Sequence, residues 1–212
     1  MDAIQQEDRT RDFDRFLTFI DAIVAIAVTL LVLPLVDLVG ELERGISVRQ
    51  LLEDNKAPIG AFFLSFLVIS QVWLGQHRLL RNVIATNEVM TRLLLLWSLT
   101  IVVLPFPTAL VAGPHDAGNE AITKLLYVGT MAVGALLLGL IAVVISRHRE
   151  LRDSSETPDP VHAFGTCAAF VLALVVMLVV PATGYWPLLL LMVSDRLISL
   201  VTARSNAPRR SH

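Results

Sequence analysis

The sequence predicts an all-α integral membrane protein with six transmembrane helices, for two reasons. Hydrophobic residues make up 55% of the 212 residues and charged residues only 17%, whereas soluble domains contain about 25% charged residues. Six apolar stretches also reach the roughly 20 residues that a membrane-crossing helix requires. They cover about 16–36, 58–76, 93–111, 125–146, 161–181 and 185–203. Because the connecting segments are short, we expect residues 1–212 to form a single domain.

Composition excludes several other classes of protein. The mean hydropathy of +0.67 is too apolar for a disordered chain. A net charge of −2 gives no basic field for nucleic acid. The single cysteine, Cys167, cannot form an intramolecular disulfide or a cysteine-rich metal site. The apolar stretches are continuous rather than alternating, which favours helices over barrel strands.

Basic residues indicate the orientation, because cytoplasmic loops carry an excess of Lys and Arg. Arginines precede the first stretch, follow the sixth, and lie between the second and third and between the fourth and fifth. The opposite side holds only Arg44, Arg49, Lys56 and Lys124. We therefore predict that both termini are cytoplasmic, and that Tyr127 is an aromatic anchor at the outer boundary.

Polar residues within the first two stretches are candidate functional residues, because ionisable groups are costly inside a membrane. Asp21 lies in the first stretch, and Ser70, Trp73 and His77 share one face of the second. Asp21 and His77 lie near the same membrane surface, where a carboxylate can accept a hydrogen bond from an imidazole or an indole. The alternative is that Asp21 and His77 are unrelated and solvated by headgroups.

An apolar stripe runs along the first stretch. Phe19, Ile26, Leu30 and Leu33 recur at helical spacing, and Thr29 lies beside them. Asp21 is about 140° away from Ile26 around the helix. Such a stripe is typical of a face that packs or contacts lipid, and periodicity alone favours that interpretation. Several copies around a symmetry axis would instead form a hydrophobic constriction.

Enzymatic motifs are missing from the sequence. No His, Asp or Glu set has metal-ligand spacing, and no nucleotide-binding fingerprint or nucleophile elbow occurs. We therefore expect neither a catalytic site nor a cofactor.

The polar and apolar positions of the first stretch together form a recognisable motif. Arg15-x-x-x-Phe19-Ile20-Asp21 is followed by the run 25–33, AIAVTLLVL. This resembles the R-x-x-x-F-S-D motif and following A-I-A-hydrophobic-T-L-L-V-L run of the transmembrane protein 175 family of potassium channels. The second stretch, with S-x-x-W-x-x-x-H, and the ending L-P-F-P-T of the third, at 104–108, are also similar to that family. Stretches four to six match only as apolar helices.

The resemblance implies a homotetrameric channel in a prokaryotic cell membrane, with K⁺ as the permeating ion. Ile26 would form the narrowest ring and gate, Leu30 and Leu33 would form rings outward of it, and Thr29 would contribute to selectivity. A structural polar network would hold the pore helix, and its members would be Arg15, Phe19, Asp21, Ser70, Trp73 and His77.

Three positions leave this expected network open to a different arrangement. Ile20 replaces the serine of the motif, which removes a hydroxyl. The third stretch offers Ser98 and Thr100 where the family often carries an asparagine. Arg15 lies eleven residues before Ile26, on roughly the same face, so it can line the cytoplasmic mouth instead of joining the network.

Two other functions remain as alternatives. A small secondary transporter would favour an internal repeat and broken helices near the membrane midplane, and the prolines here cluster toward the outer ends of the stretches. A non-conducting membrane scaffold would use small-residue pairs for helix packing, as a channel also would.

Overall fold

The computed structural model describes residues 2–42, 45–112, 120–152 and 160–180, and these residues are helical apart from short connections. An isolated antiparallel β-bridge joins Val83 and Arg152, which lie in two different loops. The helices, in chain order, are α1 (Asp2–Leu30), α2 (Leu33–Asp37), α3 (Val39–Leu42), α4 (Val48–Asp54), α5 (Lys56–Leu80), α6 (Glu88–Val103), α7 (Pro105–Ala112), α8 (Glu120–Arg147) and α9 (Pro160–Val179), with a 3₁₀ turn at Arg149–Leu151 after α8.

Four helical segments in this part of the chain are long and apolar enough to cross a membrane: Arg11–Asp37, Lys56–Leu80, Glu88–Val111 and Ala121–Arg147. They contain the first four predicted stretches, which confirms an all-α, multi-pass membrane protein. The fifth stretch, 161–181, largely coincides with α9, whose described apolar portion is the shorter segment Phe164–Val179. The sixth stretch, 185–203, lies outside the described residues.

A proline interrupts the first membrane segment. Pro34 has no N–H, so the carbonyl of Leu30 loses its usual helical donor four residues later. The chain responds with a tighter turn between α1 and α2, in which the Val32 N–H donates to the Thr29 carbonyl at 3.3 Å. Pro105 stands at the same kind of break between α6 and α7.

Helix α8 lies at the centre of the packing, against α9 on one side and α6 on another, while α5 packs on α7 and α1 on α6. Trp97 of α6 and Tyr127 of α8 are fully buried members of this core. Gly139 allows the close approach of α9, because a Cβ at that position would stand 3.0 Å from the ring of Phe164.

The loops that follow α5 and α8 meet at one end of the bundle. The Ile84 N–H donates to the Leu151 carbonyl at 2.9 Å. Leu151 is buried in a cluster that also contains Met90 of α6 and Phe13 of α1. The N-terminal part of α1 therefore lies at this end of the molecule, which we call the paired-loop end.

Candidate functional site

A hydrogen bond connects the first two membrane segments. The indole Nε1 of Trp73, on α5, donates to Oδ1 of Asp21, on α1, at 2.8 Å. Both groups are partly buried. A charge-assisted bond of this kind is stronger than one between neutral groups. It satisfies a carboxylate that would be costly to leave unpaired in a membrane segment.

His77 lies against the indole rather than against the carboxylate. The ring centroids of Trp73 and His77 are 5.3 Å apart, with an angle of 41° between the planes. From the spacing, either an imidazole or an indole could donate to Asp21. The contact in the structure is made by the indole. The imidazole is thus a ring neighbour of the indole donor, one helical turn along α5.

Three other residues of the expected network lie outside this contact. Ser70 donates to the carbonyl of Phe66 in its own helix at 2.7 Å. Phe19 and Arg15 are exposed, and among the described residues Arg15 has no hydrogen-bond or ion-pair partner. The structure thus brings together Asp21, Trp73 and His77 and leaves the other three apart.

Ile20, in place of the motif serine, and the hydroxyls of Ser98 and Thr100 on α6 point to partners other than Asp21. Ile20 is 0% exposed and belongs to the apolar core, so this position contributes packing in place of a hydroxyl. Ser98 and Thr100 donate to the carbonyls of Leu95 and Trp97 in their own helix. Their protons are therefore used locally, away from Asp21.

The first membrane segment, Arg11–Asp37, which consists of α1, the turn and α2, has two faces of opposite character. The stripe residues Phe19, Ile26, Leu30 and Leu33 are all exposed, and Ile26 is 60% exposed, the highest fraction of the four. The other face is buried in the core, and it consists of Ile20, Val24, Ala27 and Leu31. One face thus holds α1 in its own subunit, and the other is left for lipid or for a neighbouring molecule.

Thr29 stands beside the stripe with its hydroxyl oriented by the backbone. Its Oγ1 donates to the Ile26 carbonyl at 2.7 Å, and the residue is exposed. Because the proton is engaged, the lone pairs of Oγ1 remain as acceptors. An oxygen of this kind is a suitable ligand for a cation.

A buried cluster of hydroxyl groups on three helices was not found from the sequence. The Oγ of Ser65 (α5) lies 2.9 Å from Oγ1 of Thr108 (α7) and 2.8 Å from the hydroxyl of Tyr127 (α8). Thr108 donates its proton to the Leu104 carbonyl at 2.8 Å. It must therefore accept from Ser65, which in turn accepts from Tyr127. The cluster is a directed chain that links α8, α5 and α7.

Two boundary residues are placed differently from the sequence prediction. Tyr127 was predicted to be an anchor at the outer boundary, but it is 1% exposed and its hydroxyl bonds to Ser65. Lys124 was counted among the outer loop charges. It is buried, and its Nζ donates to the Met177 carbonyl in the last turn of α9 at 3.2 Å. Both residues turn toward a partner helix that the sequence does not reveal.

The residues that form the contact between Asp21 and Trp73 and the exposed stripe lie in a part of the chain that is similar to a known family. Residues 15–105, slightly less than half of the chain, match the family model described as endosomal/lysosomal potassium channel TMEM175. This segment is therefore similar to the TMEM175 family. A comparison with curated proteins found no match.

The family match confirms the resemblance drawn from the motif of the first stretch. It begins at Arg15 and ends at Pro105, so it contains the exposed stripe, Asp21 and Trp73. TMEM175 is a family of potassium channels and not of enzymes, which agrees with the lack of catalytic motifs in the sequence.

The bond between Trp73 and Asp21 can be tested by a double-mutant cycle. Trp73→Phe and Asp21→Ala should each lower the stability of the purified protein by about 1–3 kcal/mol. Each substitution removes the bond and leaves the other, partly buried polar group without its partner. The double variant should lose less than the sum, with a coupling of about 0.5–3 kcal/mol. Thermal unfolding in detergent measures these values. Ser70→Ala, which removes a bond within one helix, is the control, and additive losses would contradict the contact.

The hydroxyl cluster makes a separate prediction about stability. Ser65→Ala removes the acceptor of Tyr127 and the donor to Thr108, so we expect a loss of about 1 kcal/mol in unfolding free energy. The same substitution should cost less in a Tyr127→Phe background, because fewer groups are then left unpaired. Ser98→Ala is the matched control, since that buried serine bonds only to its own helix. Equal losses at Ser65 and Ser98 would be inconsistent with a chain across three helices.

Proposed function

We propose that the chain forms a homotetrameric potassium channel in a prokaryotic cell membrane, with the exposed face of α1 lining a central pore. The observation that carries this proposal is the continuous exposed stripe on α1, which lies within the segment of the TMEM175 family. K⁺ would move passively down its gradient.

A single stripe cannot enclose a pore, so the proposal requires several copies. A closed cyclic arrangement places the same face of every copy toward the axis. The buried face of α1 already packs within its own subunit, and the bond to Trp73 limits rotation of the helix. These contacts favour an arrangement in which the exposed face remains directed outward, toward the other copies.

The residues of the stripe determine the character of the pore. Ile26 would form the narrowest ring, and Leu30 and Leu33 would form rings outward of it. A dry ring of apolar side chains resists ion passage until it widens or becomes wet, which is a known form of gate. The acceptor oxygen of Thr29, next to Ile26, would contribute to the preference for K⁺.

The orientation belongs to the same proposal. Exposed arginines at the paired-loop end include Arg15, Arg78, Arg81, Arg92, Arg147 and Arg149. Because cytoplasmic loops carry an excess of basic residues, this end would face the cytoplasm. Current through the pore would then run along α1 between the N-terminal cytoplasmic mouth and the outer mouth near α2.

Flux and mass measurements test the proposal together. Liposomes that contain the purified protein should take up K⁺ faster than Na⁺ without a coupling ion, and the flux should not saturate as a carrier's does. The particle in detergent should have about four times the 23.3 kDa of one chain. A protein that is only monomeric or dimeric, or a flux that requires a coupling ion, would refute the pore or favour a transporter.

The position of the gate can be tested with one polar substitution. Ile26→Asn should raise the K⁺ current by about tenfold, the effect of removing about 1.4 kcal/mol from a dehydration barrier. It should also reduce the preference for K⁺ over Na⁺. Single-channel recording and ion-replacement experiments measure both effects.

Ala25→Asn is the matched control for the gate. Ala25 is exposed like Ile26 but lies about 100° around the helix. Val24, on the buried face, is unsuitable because asparagine there would disturb the core. Equal currents in Ile26→Asn and Ala25→Asn would show that Ile26 does not face the ion pathway.

A further inference from the structure

The exposed stripe of α1 continues into charged residues of opposite sign at its two ends. Arg15 lies eleven residues before Ile26 and Asp37 eleven residues after it. Eleven residues are about three helical turns with about 20° of rotation, and the tighter turn before Pro34 adds about 40° on the Asp37 side. Arg15 therefore lies on the same half of α1 as Ile26, and the spacing puts Asp37, beyond the turn, on the corresponding half of α2.

Neither charge is neutralised by a contact. Arg15 and Asp37 are exposed, and among the described residues neither has an ion-pair or hydrogen-bond partner. Arg49 and Glu53 show the contrast, because these two exposed residues of α4 pair with each other at 2.9 Å. The charges of Arg15 and Asp37 thus act on the space in front of the stripe.

Arg15 stands among charged residues of both signs in the N-terminal part of α1. Arg11 and Asp12 both lie within about 60° of the Ile26 direction, and both are exposed. Asp14 lies about 120° away. Asp8, eighteen residues before Ile26, lies at the same angle as Ile26, so Asp8 and Asp12 balance Arg11 and Arg15 in number on this half of the helix, and Arg15 is the one of the four nearest to the apolar rings.

Charges at the two mouths of a pore change the local concentration of the permeating ion. A ring of guanidinium groups lowers the cation concentration at its mouth, and a ring of carboxylates raises it. With Arg15 at one end and Asp37 at the other, both effects favour the entry of cations from the Asp37 side.

We propose that Arg15 and Asp37 make the pore rectify, so that K⁺ passes more readily from the Asp37 end of the first membrane segment toward the Arg15 end than in reverse. This inference rests on the proposed pore along α1. In the orientation described above, inward current would exceed outward current at equal and opposite voltages.

The test records currents of the full-length protein in cell membranes with equal KCl on both sides. At about 0.1 M KCl, where charges act over about 10 Å, the ratio of inward to outward current should be clearly above one. At about 1 M KCl, where they act over about 3 Å, the ratio should approach one. Arg15→Gln and Asp37→Asn should each lower the low-salt ratio by about threefold.

Two controls remove equivalent charges away from α1. Arg147→Gln neutralises an exposed arginine at the paired-loop end on α8, and Asp54→Asn neutralises an exposed aspartate of α4. Neither should change the ratio. If Arg15→Gln fails to assemble, Asp37→Asn and the salt dependence of the wild-type protein still decide the question.

The outcomes separate the inference from the function on which it rests. A wild-type protein without K⁺ current would refute the proposed function and the inference together. A wild-type protein that conducts K⁺ with a ratio near one at low salt would overturn the inference alone. The same conclusion would follow if both substitutions left the ratio unchanged.

Discussion

The bond from the Trp73 indole to the Asp21 carboxylate determines how α1 sits in the subunit. Most of α1 in the membrane is apolar, and the hydrophobic effect does not favour a protein neighbour over lipid tails for apolar side chains. A single carboxylate changes this, because it must find a donor. Once Asp21 faces α5, the helix cannot rotate without breaking the bond. The face with Ile26 is then directed away from the core, and Ile20 is directed into it.

The same requirement explains the other polar contacts in the membrane segments. Buried polar groups that find no water must find partners within the protein. Ser65, Thr108 and Tyr127 satisfy one another across three helices, and Lys124 donates to a carbonyl at the end of α9. Such contacts specify which helices are neighbours, whereas apolar packing and close approach, as at Gly139, specify how near they lie.

Hydropathy alone was enough to predict the first four membrane helices, because crossing a membrane requires a continuous apolar length. The motif around Asp21 was enough to predict the family whose model matches residues 15–105. What the sequence could not provide is helix rotation. Tyr127 and Lys124 lie near segment ends, so depth along the chain suggested a boundary role, but the direction of each side chain depends on a neighbour distant in sequence. Ser65 was overlooked because one hydroxyl in an apolar helix has no pattern of its own. Helical periodicity did place Ile26 and Asp21 on different faces of the first stretch, since that property is local to one helix.

The break between α1 and α2 has a mechanical consequence. Near its inner end α1 is held by Phe13, which is packed beside the joined loops, and by the bond at Asp21. Near its outer end the regular helical ladder stops before Pro34. A helix that is held in its N-terminal part and interrupted near its C-terminal end bends most easily at the interruption. Because Leu31 is buried in the core, a force applied through α2 bends the chain between Val32 and Pro34 before it strains α1, so Ile26 keeps its position when α2 moves.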